Sequence, residues 1–299
     1  MNRIVSPLAL RALRSGWEKK TAELVDELVD RGQVDAVNDI AVRFTTSLFP
    51  DLIGLQQQGR DNILIYSEVL TNGIYPAGER FAEIHRIAQP AIQWVEEASK
   101  RKNLSADGWG MQVFQAVDEG LCNEEEGELL VRAFVGAGID TTVNSIANAI
   151  YAFATHPDQW NKLREDTSLV KRAFDEALRW DATVQGFFRT TTRPVELAGV
   201  DLPEGAKIFV FLGSANRDPR RWDEPENFDI SRNTSGHVAF GFGIHQCLGQ
   251  MVSRLEGEVL LIALAPRVAG FELVGDPHRR ANNSVHGFEK LPVRLIPAR

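Results

Sequence analysis

Apolar residues recur at helical spacing along most of the chain, and this pattern predicts a mainly helical protein. The first predicted helix carries its apolar stripe at four positions, Leu13, Trp17, Leu24 and Leu28. Ser6, which precedes a proline, is typical of a helix start, and Gly32 is typical of a helix end. We therefore expect one long helix between these two residues.

Three more helices are predicted in the next part of the chain. One covers residues 35–49 and should end at Pro50, because proline lacks the amide proton that a helix interior needs. The other two cover residues 56–72 and 79–102, and Pro90 should kink the second of them. A glycine- and proline-rich stretch separates these two helices and predicts a loop.

The longest helical pattern covers residues 123–155 and begins with acidic residues, which the positive end of a helix dipole favours. Its middle is unfavourable for a regular helix. Gly136 and Gly138 cost about 1 kcal/mol each relative to alanine. Thr141 and Thr142 add β-branched crowding. We expect an irregular helix whose irregularity serves a function.

In two later stretches apolar and polar residues alternate, as is typical of β-strands. Residues 187–213 are β-branched and alternating, with turn signals at 198–199 and 203–205, and predict a small antiparallel sheet. Residues 271–296 predict another strand pair. The predicted fold class is mainly α with minor β, in a single domain over residues 1–299.

Composition narrows the function classes. The 299 residues include 41 acidic and 33 basic ones, a net charge of -8, which argues against a nucleic-acid binder. Two cysteines, Cys122 and Cys247, are too few for a disulfide framework and fit a reducing compartment. The sequence has no signal-peptide pattern and no apolar run long enough to span a membrane, so a cytoplasmic location is expected.

Residues 240–249, which read FGFGIHQCLG, place Cys247 between glycines and just before an amphipathic helix. Amide groups at a helix start favour a thiolate, which is the form of cysteine that binds a soft metal centre. Gly241, Gly243 and Gly249 lack a Cβ, so this loop can lie close against a flat ligand.

Two other interpretations of this loop remain. A single cysteine in an apolar segment is often only a small buried hydrophobe. Alternatively, His237, His245 and Cys247 together could bind zinc or iron, although no further ligand cluster of that spacing occurs in the sequence.

The loop resembles the haem-binding loop of the cytochrome P450 family, F-x-x-G-x-[HR]-x-C-x-G. All five fixed positions are present: Phe240, Gly243, His245, Cys247 and Gly249. The resemblance implies haem b with its iron held by the thiolate of Cys247. It also implies that His245 and Arg189 bind the haem propionates, and that Gly241 and Ala137 lie against the haem.

Two further segments match the same family. Residues 137–142, AGIDTT, resemble the family's [AG]-G-x-[DE]-T-T segment, which implies that Asp140 and Thr141 relay protons to oxygen. The alternative is that this Asp-Thr pair merely caps or bends a helix. Glu176 and Arg179 match the family's E-x-x-R pair, which braces the core, with Arg232 as the expected third member. Asn227 stands where many relatives have an arginine in this network. The alternative is an exposed ion pair, which is common and contributes little.

The resemblance also suggests a substrate region. Phe187 falls where a family side chain points into the substrate cavity. Arg132 lies two helical turns before Asp140 and could bind the carboxylate of a small aromatic acid. The alternative is that Arg132 is a solvated or structurally paired arginine. The helices over 56–72 and 79–102 would form a lid, with residues 73–78 as a mobile entrance.

Taken together, the matches imply a soluble bacterial type of haem-thiolate monooxygenase, which inserts one oxygen atom from O2 into a small organic substrate. Electrons would come from a ferredoxin and its reductase, because the sequence has no flavin or iron–sulfur motif. The expected fold is cytochrome P450-like but lacks about the first hundred residues of the family. The alternative is a non-catalytic remnant, or a mis-started fragment, of such an enzyme.

Overall fold

Helices dominate the computed structural model, which describes residues 4–74 and 78–298. The α-helices are α1 (Pro7–Arg31), α2 (Arg43–Ile53), α3 (Asn62–Gly73), α4 (Glu79–Ile87), α5 (Gln89–Ala98), α6 (Trp109–Asp118), α7 (Glu124–Gly138), α8 (Asp140–Thr155), α9 (Pro157–Glu165), α10 (Val170–Trp180), α11 (Leu212–Ala215) and α12 (Gln250–Leu264). A π-helical segment, Ala36–Val42, leads into α2, and short 3-10 turns cover Arg101–Asn103, Thr167–Leu169 and Gly243–His245.

The strands are short and lie in small antiparallel sheets. They are β1 (Gln33–Asp35), β2 (Gly186–Thr190), β3 (Val195–Leu197), β4 (Val200–Leu202), β5 (Lys207–Phe211), β6 (Val268–Leu273), β7 (His278–Arg279), β8 (Phe288–Lys290) and β9 (Pro292–Pro297). In one sheet β9 lies between β1 and β6, while β2 pairs with β5, β3 with β4 and β7 with β8. The predicted fold class, mainly α with minor β, is confirmed.

The first helix has the ends that its sequence predicts. The side chain of Ser6 accepts a hydrogen bond from the backbone N–H of Ala9 at 3.3 Å. At the other end Gly32 has a φ of 71°, and its N–H donates to the carbonyls of Leu28 and Val29. Glycine meets this positive φ without the steric cost of a Cβ, so the helix stops there.

The predicted helix start at residue 35 is confirmed, because the Asp35 side chain caps the π-helical segment by accepting from the N–H groups of Val37 and Asn38. The preceding strand β1 was not predicted, because it forms by pairing with β9 from the far end of the chain.

Two other predicted boundaries were wrong. Pro50 lies inside α2, which continues to Ile53 and stops at Gly54 with a φ of 91°. Helix α3 begins at Asn62 rather than at residue 56, since Gly59 with its positive φ forms a turn first.

The region predicted as a lid lies mostly within the described residues. The predicted kink near Pro90 is confirmed as a break between α4 and α5 at Ala88. The predicted entrance loop, 73–78, includes residues 75–77, which lie outside the described residues.

The predicted long helix is observed as α7 and α8, which meet at an irregular residue, Ile139. A Cβ on Gly138 would lie 2.0 Å from the Phe49 ring, and one on Gly136 would lie 2.0 Å from Leu70. Both glycines are therefore required by close packing against α2 and α3. Beyond the break, the side chain of Asn144 donates to the Asp140 carbonyl at 2.6 Å.

Helix α12 packs against both α1 and α10, and α8 packs against α10 and the π-helical segment. Most residues of α8 and α12 are buried in one continuous apolar core. This packing sets the start of α12, where Cys247 lies, across from the α7–α8 break. In the described part of the chain, no helix has the length and apolar character needed to cross a membrane.

Candidate active site

A cavity of about 430 Å³ lies between the α7–α8 break and the loop before α12. Nine of the predicted site residues line it: Ala137, Thr141, Phe187, Arg189, Phe240, Gly241, His245, Cys247 and Gly249. The others do not: Arg132 and Asp140 lie behind its walls, and Glu176, Arg179 and Arg232 form a separate cluster. The structure thus brings most of the predicted site together across residues that are distant in sequence.

The Cys247 loop is closed by its own backbone. The N–H of Cys247 donates to the carbonyl of Phe240 at 2.8 Å, and the N–H of Gly241 donates to Val238 at 2.8 Å. Gly241 has a φ of 71°, which a residue with a side chain rarely adopts. A Cβ on Gly249 would lie 3.9 Å from the Cys247 sulfur, within contact distance. The loop therefore holds Cys247 at the cavity wall.

The charge state expected for Cys247 needs a correction. Burial raises the pKa of the Cys247 thiol, because the surrounding protein disfavours the thiolate, although the residue is exposed along the open cavity. The backbone amides of Gly249 and Gln250 and the charge of Arg254 lower this pKa, as predicted for a helix start, but less than burial raises it. A bound cation is therefore needed to hold the thiolate.

The donor set fits a haem. A thiolate ligand suits iron, and the flat glycine loop leaves room for a planar group above the sulfur. Arg189 and His245 both line the cavity, where positive charge or N–H groups can meet two carboxylates. The Arg189 side chain donates to the carbonyl of Phe188 at 2.8 Å, and its guanidinium lies 5.8 Å from the Phe187 ring centre.

Thr141 and Asp140 face different surroundings. The Thr141 hydroxyl lines the cavity and donates to the carbonyl of Ala137 at 2.7 Å. Asp140 is almost fully buried, and its carboxylate accepts two hydrogen bonds from Arg280, at 2.7 and 2.9 Å. It also accepts one from Asn144 at 3.0 Å. The carboxylate is thus one residue away from the cavity wall and held by a charged partner.

Glu176 and Arg179 form a fully buried, bidentate ion pair with distances of 2.7 and 2.8 Å. Arg232 also donates to Glu176, at 3.2 Å. The backbone carbonyl of Asn227, rather than its side chain, accepts from Arg179 at 3.1 Å. This cluster joins α10 to residues 225–232, while Leu178 of the same helix lines the cavity.

Arg132 has the placement of the second interpretation considered from the sequence, a structurally paired arginine. Its guanidinium pairs with Glu96 at 3.3 Å, and it is not among the residues that line the cavity. On α7 the cavity-lining residues are Ala133, Phe134, Ala137 and Gly138. Position 132 lies on the opposite side of the helix from position 134 at 100° per residue, so the side chain reaches α5 instead.

Two residues of the site were missed from the sequence. Glu256 on α12 lines the cavity, is fully buried, and neither of its carboxylate oxygens has a hydrogen-bond partner among the described residues. Burial raises the pKa of Glu256 to about 8, against a lesser opposing effect of Thr142. The sequence could have identified Glu256, because it lies four residues from both Val252 and Leu260 and so falls on the apolar stripe of the helix.

Nothing in the sequence indicated the role of Arg280, because this residue contacts Asp140 from 140 residues away.

The alternative site of His237, His245 and Cys247 does not form. Nδ1 of His237 accepts from the N–H of Ala239 at 3.3 Å, and Nε2 lies 3.6 Å from Asp175. Both ring nitrogens of His237 are therefore occupied away from the sulfur. No group of three potential metal ligands is present among the residues that the structure describes.

Known proteins resemble this chain over its whole length. A family model described as Cytochrome P450 matches residues 79–288. Cytochrome p450 CYP199A2 of Rhodopseudomonas palustris is 48% identical over 300 residues, covering 100% of this chain and 73% of that protein. The 6-deoxyerythronolide B hydroxylase of Saccharopolyspora erythraea is 31% identical, covering 96% of this chain and 72% of the hydroxylase.

A solved structure is similar throughout as well. It is the cytochrome P450 CREJ in complex with (4-ethylphenyl) dihydrogen phosphate, with a TM-score of 0.89 and 28% identity. The match covers 98% of this chain and 75% of that one.

Proposed function

The chain belongs to the cytochrome P450 family of monooxygenases, and we propose that it inserts one oxygen atom from O2 into a small aromatic substrate. The observation that carries this proposal is the cavity itself. It has the Cys247 sulfur on one side, the Thr141 hydroxyl on the other, and aromatic side chains around the space between them.

Bound haem would supply the activation of O2, and the chain supplies its ligands and surroundings. We propose haem b, because the two cysteines stand too far apart for the C-x-x-C-H motif of covalent attachment. Cys247 would ligate the iron, while Arg189 and His245 would bind the propionates. Ala137, Phe240, Gly241 and Gly249 would pack against the ring.

The reaction takes up two protons for each oxygen atom inserted, and the cavity offers few groups to deliver them. The Thr141 hydroxyl faces the cavity and can hold a proton there. Asp140, the preceding residue, does not line the cavity and would exchange protons with it only when its contact with Arg280 loosens. We therefore assign the direct role to Thr141 and a supporting role to Asp140.

The substrate proposal rests on the cavity wall. Phe49, Trp109, Phe134 and Phe187 line the space, and aromatic rings of this kind favour a flat apolar ligand. The similar protein that binds a substituted phenyl phosphate supports a small ring with an acidic group. Arg132 pairs with Glu96 and does not line the cavity, so we expect the aromatic part to dominate binding.

The proposal is tested with the haem-loaded chain. Para-methoxybenzoate and its methyl ester should both shift the Soret band, and Arg132→Leu should leave both affinities within about twofold. Turnover under ¹⁸O2 with a surrogate ferredoxin and reductase should place one labelled atom in the product. Loss of benzoate binding in Arg132→Leu would restore that arginine as a substrate ligand. Absence of label in any product would contradict the monooxygenase function.

The electron donor is proposed to be a ferredoxin with its reductase, since the sequence carries no flavin or iron–sulfur motif of its own.

A cytoplasmic site of action is proposed because the two free cysteines, Cys122 and Cys247, fit a reducing compartment. The remnant hypothesis predicts instead that the chain, which spans 73% of its similar relative, takes up no haem.

A further inference from the structure

Three charged or ionisable side chains meet behind the Cys247 loop, and the function described above uses none of them. Arg254 of α12 donates from its Nε atom to Asp175 of α10 at 2.8 Å. His237 lies between them, with its Nε2 atom 3.3 Å from Arg254 and 3.6 Å from Asp175. We call Asp175, His237 and Arg254 the proximal triad. Its side chains are only 5 to 24% exposed.

The proximal triad touches the Cys247 loop at its first residue. The Arg254 guanidinium lies over the Phe240 ring, 4.6 Å from its centre, and the His237 ring lies 5.9 Å from it. Phe240 in turn accepts the hydrogen bond from the N–H of Cys247. A chain of contacts therefore leads from Asp175 through Arg254 and Phe240 to the sulfur-bearing residue.

A second contact holds Arg254 near the Cys247 loop. Its Nη1 atom donates to the side chain of Gln250 at 2.8 Å, which fixes the guanidinium at the first turn of α12. Burial alone would raise the pKa of Asp175, but the nearby His237 ring and the charge of Arg254 hold it below its usual value. Asp175 is therefore ionised and offsets part of the charge of Arg254.

We infer that Arg254 is a positioning residue for Cys247, which clamps Phe240 by stacking and sets the electrostatic potential at the sulfur, with Asp175 opposing its charge. This inference rests on the proposed haem ligation. The two effects of Arg254 can be separated by substitution. Stacking on the Phe240 ring needs the planar guanidinium of arginine, whereas the electrostatic potential at the sulfur needs only a positive charge.

The experiment measures the iron midpoint potential and the CO spectrum of haem-loaded Arg254→Gln, Arg254→Lys and Asp175→Asn proteins. Reduction adds a negative charge, so loss of the cation in Arg254→Gln should lower the potential. Loss of the opposing carboxylate in Asp175→Asn should raise it. Arg254→Lys should keep the potential but, like Arg254→Gln, convert part of the CO band to the blue-shifted form that marks a disturbed thiolate.

A matched control is the Arg267–Asp26 pair, whose atoms approach to 2.6 Å beyond the other end of α12. Arg267→Gln and Asp26→Asn should leave the potential unchanged. If the midpoint potential shifts in the same direction in Arg254→Gln and Asp175→Asn, or shifts in neither, the inference is overturned. A general loosening of the Cys247 loop would move the potential of both variants in the same direction. A wild-type chain that takes up no haem would overturn the proposed function together with this inference.

Discussion

At the scale of single residues, Glu256 is the group whose protonation most affects stability. Its folded pKa of about 8 lies above its ordinary value of 4.5, so the folded chain binds a proton that the unfolded chain has released. Stability should therefore fall as the pH rises from about 4.5 to 8, by at most on the order of 5 kcal/mol. Glu256→Gln, which stays neutral, should remove this fall.

The measurement is the urea midpoint of both proteins at pH 5 and pH 8. The urea midpoint of Glu256→Gln relative to that of the wild type should be higher at pH 8 than at pH 5. At pH 8 the wild type loses stability because its buried carboxyl must either ionise or take up a proton that the unfolded chain has released, whereas glutamine does neither. Equal pH dependence in the two proteins would place the carboxyl in contact with solvent instead.

Thr141 allows a prediction on catalysis. Thr141→Ala removes the hydroxyl that faces the cavity, so electrons from the donor should still reach O2 but leave as peroxide. We expect product per electron pair to fall roughly ten- to hundredfold. Thr155→Ala is the control, since Thr155 makes the same kind of hydrogen bond, 2.8 Å to Tyr151, and is not among the cavity residues. Unchanged peroxide release in Thr141→Ala would exclude the proton role.

At the scale of helices, the α7–α8 break depends on glycine. Gly138→Ala should destabilise the chain by about 1–3 kcal/mol, because the new methyl group would overlap the Phe49 ring. Gly16→Ala within α1 is the control: nothing lies within 4 Å of its added Cβ. That change should stabilise the helix by up to about 1 kcal/mol. If urea denaturation shows that both substitutions change the free energy of unfolding in the same direction, close packing does not determine the position of the break.

The brace on α10 makes a second prediction at this scale. Glu176→Gln leaves Arg179 buried without a charged partner and should lower the free energy of unfolding by about 3–5 kcal/mol. The exposed pair of Glu27 and Arg43 is the matched control, and Glu27→Gln should cost about 0–1 kcal/mol. Equal losses measured by urea denaturation would mean that burial of the pair does not matter.

At the scale of the whole molecule, the features predicted well are those encoded locally. The ends of α1, the β3–β4 hairpin at Gly199, the turn at Gly205 and the Cys247 loop all depend on residues within a few positions of one another. Short-range patterns of capping, turn chemistry and periodicity identify such features directly.

The features missed depend on distant partners. Strand β1 exists because β9 pairs with it, and the Asp140 carboxylate is held by Arg280 from the β7–β8 region. The sequence left two placements of Arg132 open for a related reason: counting turns along the chain does not say which side of α7 faces the cavity. Tertiary contacts of this kind override local propensity and leave little trace in the local pattern.

The proposed function depends above all on Cys247, whose thiolate would ligate the iron of a bound haem. Its most direct test is the CO difference spectrum of the reduced, haem-reconstituted chain. We predict the red-shifted Soret band that marks thiolate ligation in the wild type, its complete loss in Cys247→Ala, and its retention in Cys122→Ala. A wild type without that band, or a Cys247→Ala protein that keeps it, would contradict the account.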